Sequence, residues 1–542
     1  MKTKLFTISL LLAVIFISCS EEQITKTLLR STPEKEGVSS QGILDFLTAL
    51  DESGAQMHSF MLLRHGKVIA EGWWTPYAPE LKHTMYSTSK SFVAMAVGYA
   101  ISEGLLSTND KVVSFFPEYL PDSVSPYLEA MNVKNLLCMS SGLNRDFIFD
   151  VDKLNDWAAI FFEAPVLYEP GSKFSYSSMD TYMLSLIVQR VTGQTVMDYL
   201  TPRLFEPLCI EDIDWELNPE GITVGGWGLR LKTEDMAKFG QLLLQKGVWN
   251  GKEVLPPAWI EEATAMQIDT HPEFTPEQRV GDDHAQGYGY QFWRCQNNTY
   301  RAAGAFGQLI VVMPDQDAVL IVTSKAETKP LEFAWKHLLP AMQNEPFPAN
   351  RAANRQLKQR LLALALPIPE NIPSEAETWR LPIMSTLIDP NNELKIGEIE
   401  LRLVDGTPRI GGKIELILIE DPTRSMGEFS LKTTTKVNRI AFAYGTWQLG
   451  EVNRESPYLV PYQSPDLQPF KVAGAYRWTE EYRLELMLHY IETPHYEIYD
   501  FNFGKGDYKD VVIEYRNSLG RIFQFQRIEK DHRKLKLTKP VF

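Results

Sequence analysis

Apolar positions along the chain follow three rhythms, each in its own region. Residues 5–17 form a mostly apolar run behind Lys2 and Lys4. About 20 apolar residues are needed to cross a bilayer, so this shorter run with a charged start predicts a secretory signal segment. From 36 to 343, helical and strand patterns interleave. Two apolar runs around His65-Gly66-Lys67, within 60–74, predict a β-hairpin with a tight turn. Residues 92–101 are apolar almost all round, which predicts a buried helix from near Ser87 to a glycine cap at Gly104. Further helices are expected over 133–143, 182–188, 233–245 and 258–266, and a polar loop over 267–286. Strand patterns return at 287–293, 300–305, 308–313 and 318–323. Strands at both ends of a helical middle predict an α+β fold, an antiparallel sheet flanked by helices with a mostly helical subdomain.

The third rhythm has a period of two. It runs through 395–403, 483–489 and 510–515 and predicts a separate antiparallel all-β domain over 378–542, sandwich or barrel. The Pro-rich stretch 344–377, with an amphipathic patch at 355–366, reads as the linker between the two. No motif in the β domain translates into chemistry, so stability, docking and substrate gating are equally open roles for it.

Composition changes this picture little. A chain of 542 residues exceeds one ordinary core. Its formal charge of −15 offers no basic field against phosphate, which argues against nucleic acid without naming a substrate; the expected partner is a small-molecule or short-peptide substrate. Cys138, Cys209 and Cys295 are too few and too scattered for a disulfide framework. With no C-x-x-C and no H-E-x-x-H, no metal and no cofactor are expected. The fourth cysteine matters more. Ser18-Cys19-Ser20 ends the apolar run and resembles a bacterial lipobox, with Phe16 where leucine is usual. The resemblance implies a lipoprotein-type signal segment over 1–19, with Cys19 lipidated as the first residue of the mature chain, a tether over 20–35, and anchorage in the cell envelope. Plain secretion is the alternative.

The candidate chemistry starts at Ser87-Thr88-Ser89-Lys90. A serine at a helix mouth sits beside unpaired N–H groups and the positive dipole end. A lysine one turn inward is desolvated, so its neutral, proton-accepting form becomes accessible. In a chain this long, about one or two such Ser-x-x-Lys matches arise by chance. Two further stretches lift it above chance. Tyr176-Ser177-Ser178 follows Pro170-Gly171 and Phe174, and Ala303-Gly304-Ala305-Phe306-Gly307-Gln308 leads a strand ending in Met313-Pro314. In this order the three resemble the motifs of the serine β-lactamase-like hydrolases: class C β-lactamases, DD-peptidases, family VIII carboxylesterases and 6-aminohexanoate-dimer hydrolases. Leu136–Leu143 and the block from Gly226-Trp227-Gly228-Leu229 to Trp259 support the match over 36–343.

The resemblance implies an acyl-enzyme on Ser87, with Lys90 and Tyr176 as proton-transfer partners and the Tyr176 phenol pKa lowered by Lys90. It also implies an oxyanion hole from the N–H groups of Ser87 and Ala305. Ser178 and Gly304 fall at substrate-binding positions, although Ser178 could equally cap the next helix and Gly304 could serve close backbone approach. His284, in the loop before the sheet, is a candidate for the cleft lining, or simply a solvated loop histidine. Two departures point to a branch. Ser178 stands where penicillin-recognising enzymes carry asparagine, and neither lysine nor histidine precedes Gly304. The pattern is closest to the esterase and aminohexanoate-dimer hydrolases. A D-amino-acid peptidase or weak β-lactamase acting on cell-wall-like peptides, and a non-catalytic binding lipoprotein of the same fold, are the alternatives.

Overall fold

The structure is a computed structural model that describes residues 26–151, 156–368, 370, 384–389, 392–405, 412–420, 436–504 and 511–527. The expected signal segment with Cys19, the start of the tether, residues 369 and 371–377 of the linker and the start of the β domain lie outside these.

Seven strands form the first sheet: β1 (Leu29–Arg30), β2 (Gln56–Arg64), β3 (Lys67–Trp73), β4 (Trp293–Arg294), β5 (Tyr300–Gly304), β6 (Gln308–Met313) and β7 (Ala318–Lys325). Their order is β1-β3-β2-β7-β6-β5-β4, so strands from both ends of the region meet in the centre, as expected. All pairs are antiparallel except β1 with β3. The β2–β3 turn has φ of 48° at His65 and 70° at Gly66. Two positive-φ residues make the tight turn whose twist suits a hairpin. The central strand β7 is buried on both faces up to Ser324, which explains its unbroken apolar run.

Helices cover both faces: α1 (Ser40–Glu52), α2 (Ser89–Ser102), α3 (Ser178–Thr192), α4 (Thr233–Leu244) and α5 (Arg351–Leu362). Met236 and Phe239 of α4 share a core with Ile310, Val319 and Ile321 of the sheet. On the opposite face, Ile43 and Leu47 of α1 and Leu357 of α5 pack with Phe60 and Leu320. Every residue of α2 from Ser89 to Ala100 is buried, so it is the central helix its composition predicts. A Cβ at Gly98 would lie 2.2 Å from the Trp259 indole nitrogen; glycine is what lets that ring close on α2.

Two stretches differ in detail from their sequence patterns. Of 287–293, only Trp293 enters a strand, because Gly287 (φ 98°) and Gln291 (φ 65°) turn the chain out of extended geometry. Residues 351–366 of the connecting stretch pack on the first domain: Thr75 N–H donates to Leu364 O at 3.1 Å, and Leu366 N–H donates to Thr75 O at 2.8 Å.

The second sheet comprises β8 (Met384–Leu387), β9 (Ile396–Asp405), β10 (Lys413–Glu420), β11 (Lys436–Tyr444), β12 (Gln448–Val452), β13 (Phe470–Glu480), β14 (Arg483–Tyr490), β15 (Tyr496–Asn502), β16 (Val512–Asn517) and β17 (Ile522–Phe525). Its order is β8-β9-β10-β11-β13-β14-β15-β16-β17, with β12 on β13. Beyond β8 and β17, Ile388 bridges Arg527, so the ends of the sheet meet around one apolar core, as in a barrel.

The β domain docks against the first domain through specific bonds. Thr84 N–H donates to Glu492 O at 2.8 Å, and the Tyr77 hydroxyl donates to Thr493 O at 2.9 Å. Buried Glu216 accepts from the Tyr458 hydroxyl and, at 2.9 Å, from Ser464 N–H.

Candidate active site

Ser87 lies in the 3-10 turn Tyr86–Thr88 that leads into α2. Three side-chain bonds fix this turn: Thr88 Oγ1 to Gln308 O at 2.9 Å, Ser89 Oγ to Tyr86 O at 2.7 Å, and Leu229 N–H to Ser89 Oγ at 3.2 Å. The end of β5 runs directly beneath it. A Cβ at Gly304 would sit 2.1 Å from Met85 O, so only glycine permits this approach and the structural role weighed for Gly304 is real. Among the described residues, neither the Ser87 nor the Ala305 backbone N–H meets a hydrogen-bond acceptor. Two idle donors side by side at a cleft suit a developing oxyanion. Their chain neighbours are held unusually: Tyr86 has φ of 47° and Phe306 of 67°. For bulky residues this conformation costs about 1–3 kcal/mol and tends to mark functional turns.

Lys90, fully buried, points back at Ser87. Its Nζ lies 3.2 Å from Ser87 Oγ, 3.0 Å from Ser178 Oγ and 2.5 Å from Gly226 O. Among the described residues no carboxylate pairs with it. Burial therefore carries its pKa down to about 7, against a weaker upward pull from Asp146 and Asp180. Asp180 itself is pushed up to about 8 by burial and keeps one carboxylate oxygen without a partner.

Tyr176 lines the same cleft as Ser87, and its ring lies 5.1 Å from Lys90 Nζ. The expectation that Lys90 lowers this phenol is corrected. Burial raises the Tyr176 pKa well above the ordinary tyrosine value, because the phenolate is desolvated there.

These groups open into a cleft of about 360 Å³, within the range of small-molecule sites. Ile148, Phe149, Trp293, Leu331, Leu459 and Val460 give it a largely apolar lining, while Asp146, Arg301 and Glu327 supply charge. His284 lines the rim, half-exposed, its ring edge-on to Trp293 at 4.9 Å. Burial by the rim lowers its pKa.

The Beta-lactamase family model matches residues 46–341, more than half of the chain. The chain belongs to the β-lactamase family. The 6-aminohexanoate-dimer hydrolase of Paenarthrobacter ureafaciens is 26% identical over 291 residues, which cover 49% of this chain and 72% of that enzyme. A family VIII carboxylesterase structure superposes with a TM-score of 0.44 at 15% identity, covering 57% of this chain and 99% of its own. The octameric penicillin-binding protein homologue of Pyrococcus abyssi does so with a TM-score of 0.45 at 15% identity, over 90% and 99%. The β domain and α5 lie outside the family match.

In this β-lactamase-family chain, Ser87, Lys90, Tyr176, Ser178, Gly304, Ala305 and His284 converge on one cleft. Ser178 Oγ touches Lys90, and the helix cap falls instead to Ser177, whose Oγ accepts from Asp180 N–H at 3.2 Å. The sequence reading missed Asp146, which accepts from Ser178 N–H at 2.8 Å, and Arg301, a fully buried guanidinium beside the cleft. A basic residue inside an apolar strand was the available signal for Arg301. The β-domain residues Leu459 and Val460 carried none.

Proposed function

We propose that the chain is a serine hydrolase that cleaves an ester or amide bond through an acyl-enzyme on Ser87. The observation that carries this is Lys90: buried, without a carboxylate, and 3.2 Å from Ser87 Oγ with a pKa near 7. Neutral Lys90 takes the Ser87 proton as Oγ attacks the substrate carbonyl. The N–H groups of Ser87 and Ala305 bind the tetrahedral oxyanion, each such donor being worth about 3 kcal/mol. Tyr176, a neutral phenol, passes a proton to the departing alkoxide or amine and is reprotonated from Lys90. Water then attacks the acyl-enzyme by the same route in reverse. Membership of a family of hydrolases supports this reading, as does the name of the dimer hydrolase relative, whose activity belongs to that protein. The apolar cleft favours an acyl group over a sugar or nucleotide. Cys19, as a lipidated terminus, would hold the enzyme in the cell envelope.

The test compares wild type with Ser87→Ala on p-nitrophenyl butyrate and in labelling by a fluorophosphonate. Wild type is expected to turn over and label, and the variant to do neither. Equal behaviour of the two proteins overturns the reading.

A further inference from the structure

The oxyanion donors are flanked by two residues whose backbone needs external support, and that support comes from the other domain. Tyr86 precedes Ser87 and Phe306 follows Ala305, both with positive φ. Their rings meet edge-on at 5.6 Å. His495 of the β domain touches both: it lies edge-on to Tyr86 at 5.9 Å and to Phe306 at 5.3 Å. Its Nε2 is 2.5 Å from the Tyr86 hydroxyl, and Nδ1 is 2.7 Å from Ser518 Oγ. Tyr458 stacks on Tyr86 at 5.4 Å. The segment carrying His495 is the short turn between β14 and β15, and Glu492 and Thr493 of the same turn accept from Thr84 N–H and the Tyr77 hydroxyl, just upstream of Ser87.

We propose that His495 of the β domain is a positioning residue for the oxyanion hole, holding Tyr86 and Phe306 so that the N–H groups of Ser87 and Ala305 converge. The active site is then incomplete without the β domain. This deepens the hydrolase reading and rests on it. A ring wedged between two strained turns fixes both through one object. A histidine with one acceptor nitrogen and one donor nitrogen is locked in orientation by Tyr86 and Ser518. Burial holds His495 neutral, its pKa down to about 3, so the wedge keeps this form throughout the neutral range.

The experiment uses the full mature chain as wild type, His495→Ala, His495→Gln and Tyr86→Phe. With p-nitrophenyl butyrate, His495→Ala is expected to lose about 10- to 100-fold in kcat, the scale of a small misplacement of reacting groups, with KM changed less than about threefold. His495→Gln retains an acceptor and is expected to recover about half or more of that loss on a logarithmic scale. Tyr86→Phe keeps the ring and removes the bond, and is expected to lose about fivefold or more. Hydrogen–deuterium exchange gives a readout independent of turnover. Peptides spanning 85–90 and 303–309 are expected to exchange faster in both His495→Ala and Tyr86→Phe, with the β-domain strands unchanged. Unaltered exchange in those peptides overturns the proposal whatever the activity. So does wild-type kcat in folded His495→Ala or, should that variant not fold, in Tyr86→Phe. Absence of wild-type turnover would fall on the hydrolase reading, while the exchange result would still decide the role of His495.

Discussion

The cleft has two unlike walls. The first-domain wall carries Ser87, Lys90 and Tyr176, whose residue types do the chemistry. The β-domain wall carries Leu459 and Val460 at the surface and Tyr458 and His495 behind it, whose shapes decide fit and geometry. Proton transfer requires one particular functional group at one particular distance, so it leaves a fixed residue spacing in the sequence. Packing accepts any group of suitable volume, so it leaves none. One wall is therefore readable as motifs and the other only as contacts. Breaking a group on the first wall is expected to cost the most turnover, while changing the surface of the second is expected to redistribute it among substrates.

The largest effect belongs to Lys90. Replacement by methionine keeps the stem's volume and removes the base, and kcat is expected to fall about 10³-fold, the middle of the range for general-base removal. The direction of its pKa shift gives a second reading. A lysine brought down to about 7 is protonated and inactive below that pH and neutral above it, so wild-type kcat/KM rises through pH 7. Initial rates between pH 5.5 and 8.5 measure this directly, and a flat profile would remove Lys90 as the proton acceptor. Tyr176 contributes no titration in that window, because burial has moved its phenol upward.

A smaller effect is expected on the β-domain side. Leu459 and Val460 add aliphatic surface to the cleft. A methylene in an apolar pocket is worth about 1–3 kcal/mol of discrimination. Replacing both by alanine is expected to lower the preference for p-nitrophenyl hexanoate over acetate about tenfold, through KM, with acetate turnover within about twofold of wild type. An unchanged preference would show that the β domain contributes no contact to the acyl group.

The same division explains how much the sequence discloses. The hairpin at 60–74, the buried α2 and the strand pairs at 300–325 follow from periodicity, because burial on one or both faces forces it. Ser87, Lys90 and Gly304 are legible because chemistry and close approach admit few residue types. The Tyr176 pKa was not: its sign depends on desolvation, a property of the folded surroundings rather than of the neighbouring residue in a motif. Tyr86 gives no sign that its φ is positive, and nothing around Glu492-Thr493-Pro494-His495 marks a turn that reaches another domain.

The smallest expected effect probes the seam between the walls. Glu216 of the first domain is buried and meets Tyr458 and Ser464 of the β domain, and burial raises its pKa to about 7, only partly offset by those bonds and by Arg230. A carboxyl raised in the folded state holds its proton where the unfolded chain has released it. Stability therefore falls as pH rises from about 4.5 to 7 and levels off above, by an order of 3 kcal/mol for a shift of this size. Glutamine imitates the protonated form, since its oxygen can accept from Ser464 N–H while its amide donates to the Tyr458 oxygen. Denaturant unfolding at pH 5, 6, 7 and 8 is expected to show a declining free energy for wild type and a flatter one for Glu216→Gln, the two curves separating between pH 5 and 7 in favour of the variant. Parallel curves would mean that Glu216 is ionised at the seam at all these values. The domains would then be joined by a buried charge rather than by a neutral hydrogen bond.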